Sequence, residues 1–212
     1  MTILMLGHIL LYSITERNGY KYMKGKKIGF AMCGSFCTLS FAVEQLSALK
    51  ETGARLFPIM SEIVYNTDTR FGSAESFKAK IEAICQNEII HEIKNAEPIG
   101  PKQLLDLLII APCTGNTLGK LANGITDTCV TLAAKAHLRN EKPVLLAVST
   151  NDALSASAKN IGQLLNVKNI FLVPFGQDLP QKKYRSCVAD FSKIIPAAKS
   201  ALKNEQLQPI LL

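Results

Sequence analysis

Short apolar runs alternate with helical stripes along most of this chain. Residues 28–33 and 55–60 have the length and side-chain type of strands. Between them Leu39, Ala42, Val43, Leu46 and Leu49 recur at three- and four-residue spacing, lining one face of a helix that Gly53 ends. A polar loop is expected up to Gly72, then a helix with Ser73 at its N-cap and Phe77, Ile81, Ile84 and Cys85 on one face. The run 107–111 is continuously apolar, as a strand buried on both faces must be, and ends at Pro112. Two helices over about 117–123 and 127–138 follow, then a second buried strand over 144–148. Leu154, Ala158, Ile161, Leu164 and Leu165 form another stripe before a strand over 170–173, and a last helix over about 186–202 is expected to kink at Pro196. Five strands with helices between them predict one α/β domain, a three-layer doubly wound parallel sheet.

Residues 1–22 stand apart from this pattern. An apolar stretch of about ten residues, broken by His8, leads through a polar run to Met23 and the basic Lys24-Gly25-Lys26-Lys27. The chain is therefore expected to comprise an N-terminal extension over 1–22 with the native start at Met23, a domain over 23–203 and a C-terminal tail over 204–212. The apolar stretch is half of the roughly 20 residues a membrane span needs. It also lacks the leading positive charge and small-residue cleavage site of a signal peptide. A cytoplasmic protein with no membrane association is expected.

Composition narrows the class. With 48% apolar and 19% charged residues the 212-residue chain is a globular protein large enough to bury a sizeable core. Its six cysteines contain no CxxC pair, so they read as reduced thiols, with Cys33 and Cys37 as small buried hydrophobes, and no spacing supplies a metal site. The formal charge of +7 lies mainly around Lys24 to Lys27 and from Lys182 onward, away from the strand ends. Lys182, Lys183 and Arg185 beside Tyr184 form the one basic-aromatic cluster, which reads as a solvated tail; nucleic acid is not an expected partner.

Ligands of open parallel sheets bind outside the carboxyl ends of the strands. Four such ends carry Gly34-Ser35-Phe36-Cys37-Thr38, Ser61-Glu62, Pro112-Cys113-Thr114-Gly115-Asn116-Thr117 and Ser149-Thr150-Asn151-Asp152. Hydroxyls and helix N-termini gathered in this way suit a phosphate, although each residue alone could be only a helix cap. The dinucleotide fingerprint GxGxxG and the triphosphate loop GxxxxGK[ST] are both absent. A mononucleotide such as FMN, which needs one phosphate cradle and an apolar slot, fits better.

Ala111-Pro112-Cys113-Thr114-Gly115-Asn116-Thr117, continued by Lys120, Ala122, Gly124, Asp127 and Thr131, resembles the P-x-S-x-N-T segment of the FMN-binding flavoprotein superfamily. Phosphopantothenoylcysteine decarboxylases and flavin prenyltransferases belong to that superfamily. From Met23 onward the chain is more similar to the dipicolinate synthase B-subunit family. Lys27-Ile28-Gly29-Phe30, Cys33 to Thr38, Ala96 to Lys102, Ile110 to Thr117, Ser149 to Asp152, Val173 to Asp178 and Gln206 to Pro209 carry that likeness.

The resemblance implies a flavodoxin-like, Rossmann-like domain in the mother cell of a sporulating bacterium, forming a homo-oligomer as the superfamily commonly does. It implies an oxidoreductase subunit acting with a separate A subunit, which would hold NADP. The substrate would be dihydrodipicolinate or its hydroxy-tetrahydro precursor, oxidised to dipicolinate. Phosphate-binding roles fall on Gly34, Ser35, Ser61, Ser149 and Thr150. Pro112, Thr114, Asn116 and Thr117 would face the flavin, with Asn116 orienting a ligand as the candidate catalytic residue. The decarboxylases' Pro-Ala-Met-Asn is replaced by Val148-Ser149-Thr150-Asn151 and no G-x-G-R clamp follows, which disfavours an autonomous decarboxylase or prenyltransferase. A non-catalytic partner of the A subunit is the remaining alternative.

Overall fold

A computed structural model describes residues 22–212, so the leader expected over 1–22 lies outside the described residues, Tyr22 excepted. Five parallel strands, β1 (Lys27–Met32), β2 (Arg55–Met60), β3 (Leu107–Cys113), β4 (Val144–Thr150) and β5 (Ile170–Leu172), run in the order β2-β1-β3-β4-β5. The central strand β3 and its neighbours β1 and β4 are buried almost throughout, which is why they read as unbroken apolar runs. Helices cover both faces. On one, α1 (Leu39–Glu51) packs against α3 (Ala74–Cys85) and α8 (Ile194–Ala201). On the other lie α4 (Ile93–Ala96), α5 (Gly115–Ala122), α6 (Cys129–Leu138) and α7 (Ala158–Leu165). The five buried residues of α1 are those of the predicted stripe.

Two further strands, β6 (Phe175–Gln177) and β7 (Cys187–Ala189), were not expected. They form an antiparallel hairpin that takes over the edge of β4 beyond β5, pairing Ser149 with Val188 and Thr150 with Cys187. The helix expected over 186–202 is thereby shortened to α8. Ser186 to Asp190 instead complete the sheet, and Asp190 accepts from the Ser192 N–H at the head of the 3-10 turn Phe191–Lys193 that leads into the helix. Pro196 is the third residue of α8, where the N–H it lacks would have no acceptor within the helix, so the predicted kink has no cause. Strand β3 continues through Pro112 because its ladder to β4 is already irregular between Ile110 and Cys113. The loop expected before Gly72 contains a short helix, α2 (Glu62–Asn66). Leu154 stands in a turn ahead of α7, exposed, with its N–H bonded to the Arg185 carbonyl.

The C-terminal segment is tied to the sheet. The Gln206 amide accepts from the Leu172 N–H (2.9 Å) and donates to its carbonyl (2.7 Å), standing in for a strand. Farther on, the Phe175 N–H donates to Ile210 and the Leu212 N–H to Phe175, each at 3.0 Å.

Candidate functional site

The connections from β1 and β3 leave toward opposite faces of the sheet, opening a crevice at their carboxyl ends. A cleft of about 600 Å³ occupies it. A second cavity of about 720 Å³ opens between Leu165 and Phe171, at the amino end of β5. It is lined by Asn166, Asn169 and Gln206, away from every hydroxyl-bearing strand end. Volume does not choose between the two; the chemistry of the strand ends does.

The floor of the cleft joins two distant loops. Ser35 Oγ, in the turn after β1, lies 2.8 Å from Ser149 Oγ at the end of β4. Thr38 Oγ1 donates to Ser35 Oγ at 3.0 Å and lies 3.1 Å from Ser149 Oγ. Thr38 and Ser149 are buried, whereas Ser35 is half-exposed. At Gly34 a Cβ would stand 3.1 Å from Ile63 Cγ2, so this turn leaves little room for a larger residue.

A second polar cluster stands where α5 begins. Thr150 Oγ1 and Ser157 Oγ both donate to Asp152 Oδ1, at 2.5 and 2.9 Å. Gly115 opens α5 against these three oxygens, and a Cβ there would meet each of them at 2.7 Å. Only glycine allows the helix to start so close to the end of β4.

Of the residues read from the sequence, Gly34, Ser35, Thr114, Asn116, Ser149 and Thr150 line the cleft. Asn116 is exposed to it. Pro112, Thr117 and Ser61 do not line it. Pro112 is buried and its carbonyl accepts from the Cys33 N–H. Thr117 is the third residue of α5, so its N–H bonds back to the capping Thr114 Oγ1 while its own hydroxyl turns inward to Cys33 Sγ at 3.3 Å. Ser61 leads into α2, and its buried hydroxyl has no partner among the described residues.

Six lining residues were not anticipated: Arg70, Phe71, Asp178, Lys183, Ser186 and Val188. Arg70 and Phe71 come from the α2–α3 connection, which carries no motif, and the other four from the β6–β7 hairpin, where only Asp178 belongs to a segment that carries the family likeness. The basic excess expected to lie away from the strand ends is therefore partly wrong in placement, because Lys183 reaches the cleft wall, where Asp178 pairs with it at 2.8 Å. His91, which carries no motif, is stacked on Tyr65 with ring centroids 3.7 Å apart.

All six cysteines are free, but Cys37 is exposed rather than buried, because the 3-10 turn Phe36–Thr38 points it into the cleft mouth while its neighbours face the core. Burial pushes the thiols of Cys33 and Cys85 up to about 12 and that of Cys129 up to about 11, and it also raises Cys113 and Cys187. In the folded protein an aromatic disulfide reagent is expected to label one cysteine rapidly, and Cys37→Ser to abolish that phase. A fast phase that survives Cys37→Ser would show that a buried thiol is exposed by motion.

The family model described as Flavoprotein matches residues 16–197. Among curated proteins, the dipicolinate synthase B subunit of Bacillus subtilis (strain 168) is 46% identical over 190 residues, spanning 90% of this chain and 95% of that protein. Among solved structures, the dipicolinate synthase B subunit from Bacillus halodurans C aligns with a TM-score of 0.83 at 43% identity, covering 90% of this chain and 97% of that one. The FMN-dependent cysteine decarboxylase SpaF shares the fold, with a TM-score of 0.59 at 19% identity over 86% of this chain and 99% of its own.

Proposed function

This chain belongs to the flavoprotein family, and from that membership we propose that it serves as the B subunit of a dipicolinate synthase and binds FMN in the cleft at the β1/β3 switch. It acts with a separate A subunit that holds NADP, in the cytoplasm of the mother cell, to oxidise dihydrodipicolinate or its hydroxy-tetrahydro precursor to dipicolinate. The observation that carries the flavin assignment is the meeting of the Ser35, Thr38 and Ser149 hydroxyls at the crevice floor.

The residues present fit the cofactor. The Ser35 and Ser149 hydroxyls, positioned by Thr38, and the leading N–H groups of the 3-10 turn at Phe36 and Cys37 offer donors for a phosphate without a cation. Phe36 and Val188 give the cleft an apolar wall suited to a flat ring. Bound there, FMN would supply a two-electron carrier. The chain's own part is to hold and orient. Asn116 has no useful pKa, so its amide directs a ligand rather than moving a proton. Asp152, fixed by Thr150 and Ser157, sets the position of the β4 end beside it.

Self-association belongs to the same reading. Ile63, Phe71, Leu154, Leu179 and Tyr184 are each between 46 and 70% exposed, and such exposed large apolar side chains are the candidates for a subunit contact.

The test is to purify the full chain, record its absorption spectrum, add FMN and follow the quenching of flavin fluorescence. Saturable one-to-one binding is expected, and light scattering is expected to give a multiple of 23.1 kDa. A colourless protein that takes up no FMN would overturn the cofactor assignment and leave a non-catalytic partner of the A subunit. NADP reduction at the full rate by this chain alone would overturn the division of labour.

A further inference from the structure

The connection between α2 and α3 ends in a tight turn. Thr69 and Gly72 exchange N–H···O bonds of 3.0 and 3.1 Å, and the Phe71 N–H donates to Thr69 Oγ1 at 3.2 Å. The turn is fixed to α3 from both sides. Asp68 Oδ1 accepts from the Ala74 N–H at 2.8 Å. Gly72 has φ +145°, and a Cβ there would stand 2.9 Å from the Phe77 ring. The two central residues, Arg70 and Phe71, are thereby presented at the mouth of the cleft, and both line it.

The charges around them single out one group. Lys183 is held by Asp178. Asp152 Oδ1 is already taken by two hydroxyls. Arg70 has no carboxylate partner among the described residues, and its guanidinium carbon lies 4.9 Å from the centroid of the Phe71 ring. An exposed guanidinium beside an aromatic ring offers a planar fork of donors, which matches a carboxylate in bidentate geometry, and an apolar surface for the ring that carries it. The hydroxyl floor that suits a phosphate comes from different elements, β1 and β4.

We propose that Arg70 is the carboxylate anchor of the cleft, binding a planar ring acid with Phe71 against the ring, and so is a specificity-determining residue for the substrate. This role rests on the reading of the cleft as a site for a ring dicarboxylate, but it does not require that FMN be bound.

The experiment titrates pyridine-2,6-dicarboxylate calorimetrically into the full-length wild-type chain and into Arg70→Ala and Arg70→Lys, with FMN affinity measured on the same samples. Wild type is expected to bind the probe with an affinity that falls as salt is raised. Arg70→Ala should weaken it about tenfold or more, the scale of a lost charge-assisted hydrogen bond. Arg70→Lys should recover only part, because an ammonium cannot reproduce the fork. FMN affinity should fall by much less than probe affinity, since the hydroxyl floor is built from other elements than the turn that carries Arg70. Unchanged probe affinity in Arg70→Ala, or a wild type that takes FMN but not the probe, would overturn the anchor. So would an equal loss of FMN and probe, which would make Arg70 a phosphate ligand. Arg70-dependent probe binding by a chain that takes no FMN would uphold the anchor and sink the flavin assignment instead.

Discussion

Ser35→Glu is expected to eliminate FMN binding while leaving the fold intact. Ser35 is half-exposed in the turn after β1 and its hydroxyl sits 2.8 Å from that of Ser149, so a longer side chain can turn into the cleft without entering the core. Its carboxylate would then face the phosphate. At about 4 Å and an effective dielectric of about 20 the repulsion is about 4 kcal/mol per pair of unit charges. That corresponds to roughly a thousandfold in Kd. Ser35→Ala removes one donor to an anion and should weaken binding by roughly tenfold to a hundredfold. The ordering wild type, Ser35→Ala, Ser35→Glu in fluorescence titrations, at matched melting temperatures, is the signature of a phosphate at this floor. Equal affinity in Ser35→Glu would place the phosphate elsewhere.

That the floor could be found from sequence at all follows from the sheet. Central parallel strands are buried on both faces, so β1, β3 and β4 stand out as apolar runs, and the residues at or just past their carboxyl ends, Ser35, Thr114, Asn116 and Ser149, are brought together by topology alone. Side-chain direction is a different matter. Thr117 shares the motif with Asn116, yet as the third residue of α5 it is drawn back to the capping Thr114 and faces Cys33, while Asn116 faces the cleft. A motif read as a string cannot separate the two; the helix phase does.

The hairpin β6–β7 was invisible for a related reason. A three-residue strand such as Cys187–Ala189 is too short to separate a period of two from one of 3.6, and its apolar residues continue into those of α8. Misreading it as helix also hid the route by which Lys183 and Asp178 reach the cleft. Arg70 and Phe71 were lost differently. The polar segment before Gly72 does signal a turn, but nothing local says that the turn overhangs a strand end that is remote in sequence.

Acid is expected to destabilise this protein through His137, on α6. The side chain is only 1% exposed, and its Nε2 has no hydrogen-bond partner among the described residues. Burial holds its pKa down to about 4 against an ordinary 6.5, with the Pro143 carbonyl and Asp106 opposing the shift and Lys142 adding to it. A position near the end of a helix would normally favour the cation, so desolvation outweighs the helix dipole here. The sign follows from proton counting. Between pH 6.5 and about 4 the unfolded chain carries a proton on His137 that the folded chain refuses, so stability rises with pH across that window and is lost as pH falls through it. The full effect is about 3 kcal/mol, from a depression of roughly 2.5 pH units at about 1.4 kcal/mol each. His137→Gln keeps a donor for the Pro143 carbonyl and removes the titration. Urea unfolding of the two proteins from pH 7 to pH 4 should show the wild type losing about 3 kcal/mol more than the variant, whatever the variant loses at pH 7. Carboxylates held down by a lysine partner, Glu92 beside Lys94 and Asp127 beside Lys120, are present in both proteins and cancel in the difference. Parallel pH profiles would mean that His137 accepts a proton without leaving its site, and that α6 is looser around it than its burial implies.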